Sequence, residues 1–282
     1  MPDYDLVVIG SGPAGEKGAA QAGYFQKKVA VVERQANLGG AGANTGTLPS
    51  KTLRETSLFL SGFRQRGLYG VEMKLEARTG VRELLFRERA VAQEEQVRVA
   101  QNLRLHGADV HQGKGRLLDP HTVLVRRPGN EERLTAKVIL VATGSTPFHP
   151  PMFDFQAPGV YDSDSILLMS EVPHSLVVIG GGVIGCEYAC TFAALGIPVT
   201  LVESRTPLLG FLDLEMSTRL KARMEGLGVQ FRMPATVQSV EVEEGRVTLG
   251  LDGVDTIAAA AVLVASGRSS NTANIGQEEV GV

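Results

Sequence analysis

A repeat constrains this chain more than any other feature. Leu6-Val-Val-Ile-Gly-Ser-Gly-Pro-Ala-Gly15 stands near the start, and Leu176-Val-Val-Ile-Gly-Gly-Gly-Val-Ile-Gly185 returns to the same pattern far downstream. Each is a continuous apolar run that breaks into G-x-G-x-x-G. Each leads through small residues into a second apolar run ending in an acid: Val29-Ala-Val-Val-Glu33 in one copy, Val199-Thr-Leu-Val-Glu203 in the other. Each copy closes on a third run, Val138-Ile-Leu-Val-Ala-Thr-Gly144 and Ala261-Val-Leu-Val-Ala-Ser-Gly267. Unbroken apolar runs alternating with helical stretches predict parallel strands covered on both faces. The expected fold class is α/β, with two Rossmann-like dinucleotide-binding domains that also carry small antiparallel meanders.

A single G-x-G-x-x-G is weak evidence. Here each copy sits between a strand and a helix, with an acid at the same distance beyond its last glycine, which is the context the pattern requires. Gly10 and Gly180 permit the tight turn, Gly12 and Gly182 the approach of a pyrophosphate, and Gly15 and Gly185 the close packing of helix on strand. The anion would sit at a helix N-terminus, where N–H groups and the dipole favour it. Glu33 and Glu203 would accept hydrogen bonds from ribose hydroxyls. The neighbouring Pro13, Ala14, Arg34, Ile184 and Ser204 complete these two candidate cofactor sites. Glu203 favours NAD over NADP, because a carboxylate repels a 2′-phosphate. Arg205 either pairs with such a phosphate or is an ordinary surface arginine, so the preference stays open.

Between the copies, residues 50–63 predict a helix. Arg82–His106 predicts a long amphipathic helix with Leu84, Leu85, Val91, Val97 and Leu103 on its inner face. Alternating segments predict antiparallel meanders over about 109–135 and 236–257. Pro147, Pro150, Pro151 and Pro158 mark a linker, which places the domains at 1–150, 151–270 and 271–282, the last being the start of a return to the first.

Charge and cysteine content exclude several function classes. The net charge of −3 comes with no basic cluster, so no nucleic-acid partner is expected. The N-terminus has no basic, apolar leader, and no apolar run reaches the ~20 residues that cross a bilayer. The expectation is a cytoplasmic protein with no membrane partner. The two cysteines, Cys186 and Cys190, lie four apart on a predicted helix without a CxxC or a second ligand pair, and read as small buried residues. The histidines at 106, 111, 121, 149 and 174 fall outside every motif. No metal site is expected.

Leu38-Gly-Gly-Ala-Gly-Ala-Asn-Thr-Gly-Thr-Leu-Pro-Ser-Lys51 carries a resemblance. The chain resembles the flavoproteins of the glutathione reductase and lipoamide dehydrogenase type, in which this stretch reads G-G-x-C-x-N-x-G-C-x-P-S-K and its two cysteines form a redox disulfide. Gly42 and Thr47 stand at the cysteine positions, so disulfide chemistry in that manner is excluded by residue identity. Gly-Thr-Leu-Pro-Ser-Lys51 is similar to the soluble, si-specific pyridine nucleotide transhydrogenase branch. Further similarity lies in Gly12-Pro-Ala-Gly-Glu-Lys17, Gly181-Gly-Val-Ile-Gly-Cys-Glu-Tyr188, Leu208-Leu-Gly-Phe-Leu-Asp-Leu-Glu-Met216 and Gly267-Arg-Ser-Ser-Asn-Thr272. That branch usually keeps the first cysteine, and Gly42 departs from it.

The resemblance implies FAD in the first domain and NAD or NADP in the second. It implies FAD contacts at Gly40, Gly46, Thr47, Gly115, Thr143, Gly144 and Ser145, and nicotinamide-side contacts at Val237 and Gly267. It places Lys51 beside flavin N5, paired with Glu187 in the first turn of the second nucleotide-binding helix. Val183 takes the position that packs between flavin and nicotinamide, often an aromatic. The implied reaction is FAD-dependent hydride transfer between NADPH and NAD+, with nicotinamide dinucleotides as substrates. An NAD(P)H oxidase or diaphorase, and a non-catalytic nucleotide-binding subunit or remnant, are the alternatives. The family's chains are longer, adding a strand with a Gly-Asp motif and a domain that forms a homodimer. For a chain ending at Val282 this implies an incomplete first sheet with an exposed edge, weakened FAD binding, and room for a separate C-terminal subunit.

Overall fold

The computed structural model describes residues 2–65, 77–243, 245–253 and 255–281; Glu244 and Val254, within the second predicted meander, lie outside them. The chain divides into two compact units, one of Met1–Pro49, Arg89–Thr146 and Ser269–Val282, the other of Ser50–Glu88 and Pro147–Arg268.

The chain opens β1 (Tyr4–Ile9), α1 (Pro13–Tyr24), β2 (Val29–Glu33), α2 (Gly40–Asn44), α3 (Thr47–Gln65) and α4 (Ala77–Leu105). Then come β3 (Ala108–Gln112), β4 (Lys114–Asp119), β5 (Thr122–Arg127), β6 (Asn130–Val141) and β7 (Ser145–Pro147). The first unit's sheet has the order β3-β2-β1-β6-β5-β4. β6 serves twice. Its first half pairs antiparallel with β5, and its second half runs parallel to β1, with Leu6 opposite Val138 and Ile9 opposite Val141. Alternate residues of β1 and β2 feed two separate cores. Val8, Val29 and Val31 pack against Ala19 of α1 and Val99 and Leu103 of α4 on one face. Val7, Ile9, Ala30 and Val32 pack against Leu117, Val123 and Val125 on the other. Burial on both faces is why these strands read as unbroken apolar runs.

The second unit continues with β8 (Val160–Asp162), a 3-10 turn at Ser165–Leu168, β9 (Leu176–Ile179), α5 (Val183–Ala194), β10 (Val199–Val202) and α6 (Leu214–Gly226). It closes with β11 (Val229–Arg232), β12 (Val237–Glu243), β13 (Arg246–Leu251), β14 (Thr256–Ala259) and β15 (Ala261–Val264), and β16 (Arg268–Ser270) follows as the chain returns to the first unit at Ser269. β11-β10-β9-β15-β8 form a fully parallel sheet, and β12-β13-β14 an antiparallel meander. Phe192 of α5 is fully buried, which contributes about 2–3 kcal/mol of apolar burial. α6 begins where the Asp213 side chain accepts the Glu215 amide at 2.8 Å, an N-cap bond.

Four expectations are corrected. Ala108–Gln112 does not join the antiparallel meander: β3 runs parallel to β2, as the outer strand of the sheet. Its apolar–polar sequence alternation looks the same in either role. The long helix starts at Ala77, before Arg82, because Val81 is buried on it. On that helix Val97 is 49% exposed and Val99 is buried in its place, since Val99 shares the Leu103 face one turn earlier. Finally, residues 50–88 pack in the second unit, where Leu53, Val81, Leu84 and Leu85 enter the core beneath α5. The prolines that mark a boundary at 150 carry no signal of that packing. No described helix is long and apolar enough to cross a membrane.

Candidate functional site

The two units build the same device. Gly10 and Gly180 have φ of +106° and +105°, a region glycine enters at little cost. A Cβ on Gly10 would overlap the Ala142 carbonyl oxygen, and one on Gly180 would lie 2.6 Å from that of Ala265. Gly15 and Gly185 face the carbonyl oxygens of Gly10 and Gly180 so closely that no Cβ fits. These glycines are demanded by the protein's own packing. Gly12 and Gly182 are different. Each is an N-cap in extended conformation without a side-chain cap, and a Cβ at Gly182 would meet nothing within 4 Å. Each helix therefore starts on a bare glycine turn, with Pro13 at the first position of α1 and Val183 at the first of α5. Pro13, Ala14 and Val183 are exposed at these ends, while Ile184 packs partly into the core. Gly40 closes the first turn from the α2 side, where a Cβ would press on the Gly12 Cα at 2.8 Å.

The two acids are held alike. Glu33 accepts the Ser11 amide at 2.9 Å, the Ser11 hydroxyl at 2.6 Å and the Gln35 amide at 2.8 Å. Glu203 accepts the Gly181 amide at 2.6 Å, the Arg205 amide at 2.8 Å and Arg205 Nε at 3.3 Å, while the Ser204 hydroxyl donates to it at 3.3 Å. Both acids are buried, whereas Arg34, Ser204 and Arg205 are exposed. Burial pushes the Glu203 carboxyl up, but the Gly181 and Arg205 bonds outweigh it and hold it below the usual carboxylate range. A depressed carboxylate stabilises the fold above its unfolded pKa, and that contribution is lost as pH falls through the lower, folded one. Glu203→Gln is therefore expected to cost about 1–2 kcal/mol near pH 7 and progressively less below about pH 4. Urea unfolding at both pH values measures this; an equal loss at each would contradict it.

Lys51 and Glu187 meet within the second unit. Leu53 is fully buried in the core shared with Cys186, Tyr188 and Ala189 of α5, which pins α3 beside that helix. Lys51, two residues earlier, stays 53% exposed, and its ammonium pairs with the Glu187 carboxylate. Glu187 lies just past the first turn of α5, a small correction to its expected place. Val183 is 58% exposed. Cys186 and Cys190 are free thiols, and burial pushes Cys186 up to about 12, so neither is poised as a thiolate. No metal-holding cluster of His, Cys, Asp and Glu occurs among the described residues.

The other candidates divide between turn and packing roles. Thr143, Gly144 and Ser145 lead from β6 into β7, and Asn271 holds them. Its side chain donates to the Thr143 carbonyl at 3.0 Å, and its amide donates to the Gly144 carbonyl at 2.9 Å. Asn271 lies within the Gly267-Arg-Ser-Ser-Asn271 motif, but the sequence carries no local signal of its partner at Thr143. Gly267 takes φ +119° and its carbonyl accepts the Phe148 amide at 2.9 Å. Gly46 ends the α2 loop against the Ala41 carbonyl, and Thr47 opens α3. Gly115 is set by packing, since a Cβ would lie 3.0 Å from Ile9 Cγ2. Val237 places its side chain in the second unit's core.

The family model described as pyridine nucleotide-disulphide oxidoreductase matches residues 4–282. The chain belongs to the pyridine nucleotide-disulphide oxidoreductase family. A soluble pyridine nucleotide transhydrogenase of Mycobacterium bovis (strain BCG / Pasteur 1173P2) is 41% identical over all of this chain and 61% of its own length. One from Colwellia psychrerythraea is 37% identical over 99% of this chain and 60% of its own. Among solved structures, a copper(II) complex of the HOCl-induced flavoprotein disulfide reductase RclA from Escherichia coli superposes with a TM-score of 0.87 at 28% identity, covering all of this chain and 60% of that one. The chain thus spans about 60% of the length of the relatives it matches. The family is one of flavoproteins that use FAD and pyridine nucleotides. The uncapped glycine turns fit those groups, because they leave backbone room and the helix-start N–H groups for a pyrophosphate.

Proposed function

We propose that this chain is the FAD- and nicotinamide-binding portion of a soluble pyridine nucleotide transhydrogenase, moving hydride from NADPH to NAD+. The observation that carries this is the Lys51–Glu187 pair beside a nucleotide turn, in a sequence whose redox-cysteine positions are Gly42 and Thr47. FAD, when bound, supplies a reversible two-electron carrier. Gly10, Gly12 and Gly15 would cradle its pyrophosphate, and Glu33 its adenosine ribose. The turn at Gly180, Gly182 and Gly185, with Glu203, would do the same for each nicotinamide dinucleotide in turn. Lys51 would hold positive charge where the reduced ring gains negative charge, and Glu187 would fix the ammonium in place. Gly267 and Val237 would offer backbone contacts on the nicotinamide side. Arg205 gives the second unit a cation for a 2′-phosphate, and its 83% exposure leaves it reachable.

The hydride-exchange assay tests this reading. With NADPH as donor and an NAD analogue as acceptor, initial rates should give the parallel reciprocal plots of a ping-pong sequence. Oxygen uptake that outruns nucleotide exchange would assign the chain instead to an NAD(P)H oxidase, a reading the exposed Val183 favours because no aromatic side chain stands there. Binding of both nucleotides with no turnover would make it a nucleotide-binding subunit.

A further inference from the structure

The first turn of α1 holds a charge that the cofactor reading leaves unused. Glu16 is 2% exposed. Its carboxylate accepts Arg98 Nη1 at 3.0 Å and Nη2 at 3.2 Å, Asn102 Nδ2 at 2.6 Å and Lys17 Nζ at 3.3 Å. Arg98 and Asn102 lie on α4, within the same unit. Arg98 is tied in turn to Glu95, through Nε and Nη2, both at 2.7 Å. Lys17 and Arg98 are the cations bonded to Glu16, and the Glu95 charge acts on it from behind them.

A carboxylate in the opening turn complements the helix dipole, but it opposes a second anion at the same place. With a rise of about 1.5 Å per residue, Glu16 stands about 4.5 Å along the axis from Pro13, where the pyrophosphate turn begins. We propose that Arg98 is a positioning residue for the flavin dinucleotide, cancelling the buried charge of Glu16 so that the N-terminus of α1 stays open to a pyrophosphate. This rests on the reading that the first unit holds FAD. Burial pushes the Glu16 carboxyl up, and the bonds from Arg98, Asn102 and Lys17 override that and hold it low, so it is charged at neutral pH. Without Arg98 the charge remains, compensated only by the 65% exposed Lys17 ammonium, and its pKa rises. Flavin affinity then depends on pH, weakest where Glu16 is ionised and recovering as it protonates.

The test is titration of the apo full-length chain with FAD, followed by flavin fluorescence, at about pH 8 and about pH 5.5. Arg98→Met is expected to weaken FAD about tenfold at the higher pH, with the deficit closing at the lower one. The double variant E16Q/R98M is expected to return to within about threefold of the parent. E16Q alone, which leaves no unpaired carboxylate, keeps the test available if Arg98→Met does not fold. It is expected to bind FAD as tightly as the parent or more tightly. An R98M deficit that is equal at both pH values and survives in the double variant assigns Arg98 to packing alone and overturns the proposal. So does a tenfold loss in E16Q alone. If the parent binds no FAD while still binding NADH, the flavin assignment of the first unit falls, and the proposal falls with it.

Discussion

Lys51→Met is expected to slow reduction of the bound flavin by NADPH about a hundredfold, while shifting the thermal unfolding midpoint by no more than about 3 °C. The two halves of this expectation have separate causes. The Lys51–Glu187 pair is solvent-exposed on the lysine side, at 53%, and exposed pairs contribute at most about 1 kcal/mol to stability. The position of α3 is fixed by Leu53 in the core, which the substitution does not touch. On the proposed reading the cost falls on the chemistry, where a fixed cation for a ring gaining negative charge would be worth about 3 kcal/mol. Glu187→Gln should reproduce part of the loss, because it frees the ammonium without removing it. A stopped-flow trace of flavin bleaching measures both. Unchanged bleaching in Lys51→Met would reduce the pair to a surface contact.

Gly15→Ala should empty the first unit of flavin and cost about 3 kcal/mol or more of its stability, and Gly185→Ala should do the same to nicotinamide binding in the second. At both positions the added Cβ has nowhere to go, since it falls on the carbonyl oxygen of Gly10 or Gly180, which is backbone and cannot rotate aside. Relief would require the helix to move off the strand, and that opens the turn the pyrophosphate needs. Gly107→Ala is the control. Gly107 also has a positive φ, +68°, but a Cβ there meets nothing within 4 Å, so its cost is about 1 kcal/mol of backbone strain. Flavin content after purification and the urea midpoint read out the comparison. Retention of full flavin by Gly15→Ala would show that helix and strand tolerate separation at this turn.

The parts of this chain that were legible in sequence are those where short-range chemistry dictates structure. Gly10, Gly15, Gly180 and Gly185 announce themselves because few other residues survive at their backbone angles and contacts. β1, β2, β9 and β15 were legible because burial on both faces leaves an unbroken apolar run. What was hidden depends on long-range packing. No local signal says that Leu53 and Leu84 enter the second unit's core. Likewise the alternation of Ala108–Gln112 does not reveal that its neighbour is the parallel β2. The Glu16–Arg98 pair joins residues far apart in sequence, and each reads alone as an ordinary surface charge.

In the proposed reaction one bound flavin relays hydride between two nicotinamide nucleotides without a thiol. Its most direct measurement is anaerobic: the flavin-loaded chain is bleached with one equivalent of NADPH, freed of nucleotide, and mixed with NAD+. The flavin absorbance should return in full with formation of an equal amount of NADH, and it should do so unchanged after both Cys186 and Cys190 are replaced by alanine. Flavin that bleaches but returns only when oxygen is admitted would contradict the account.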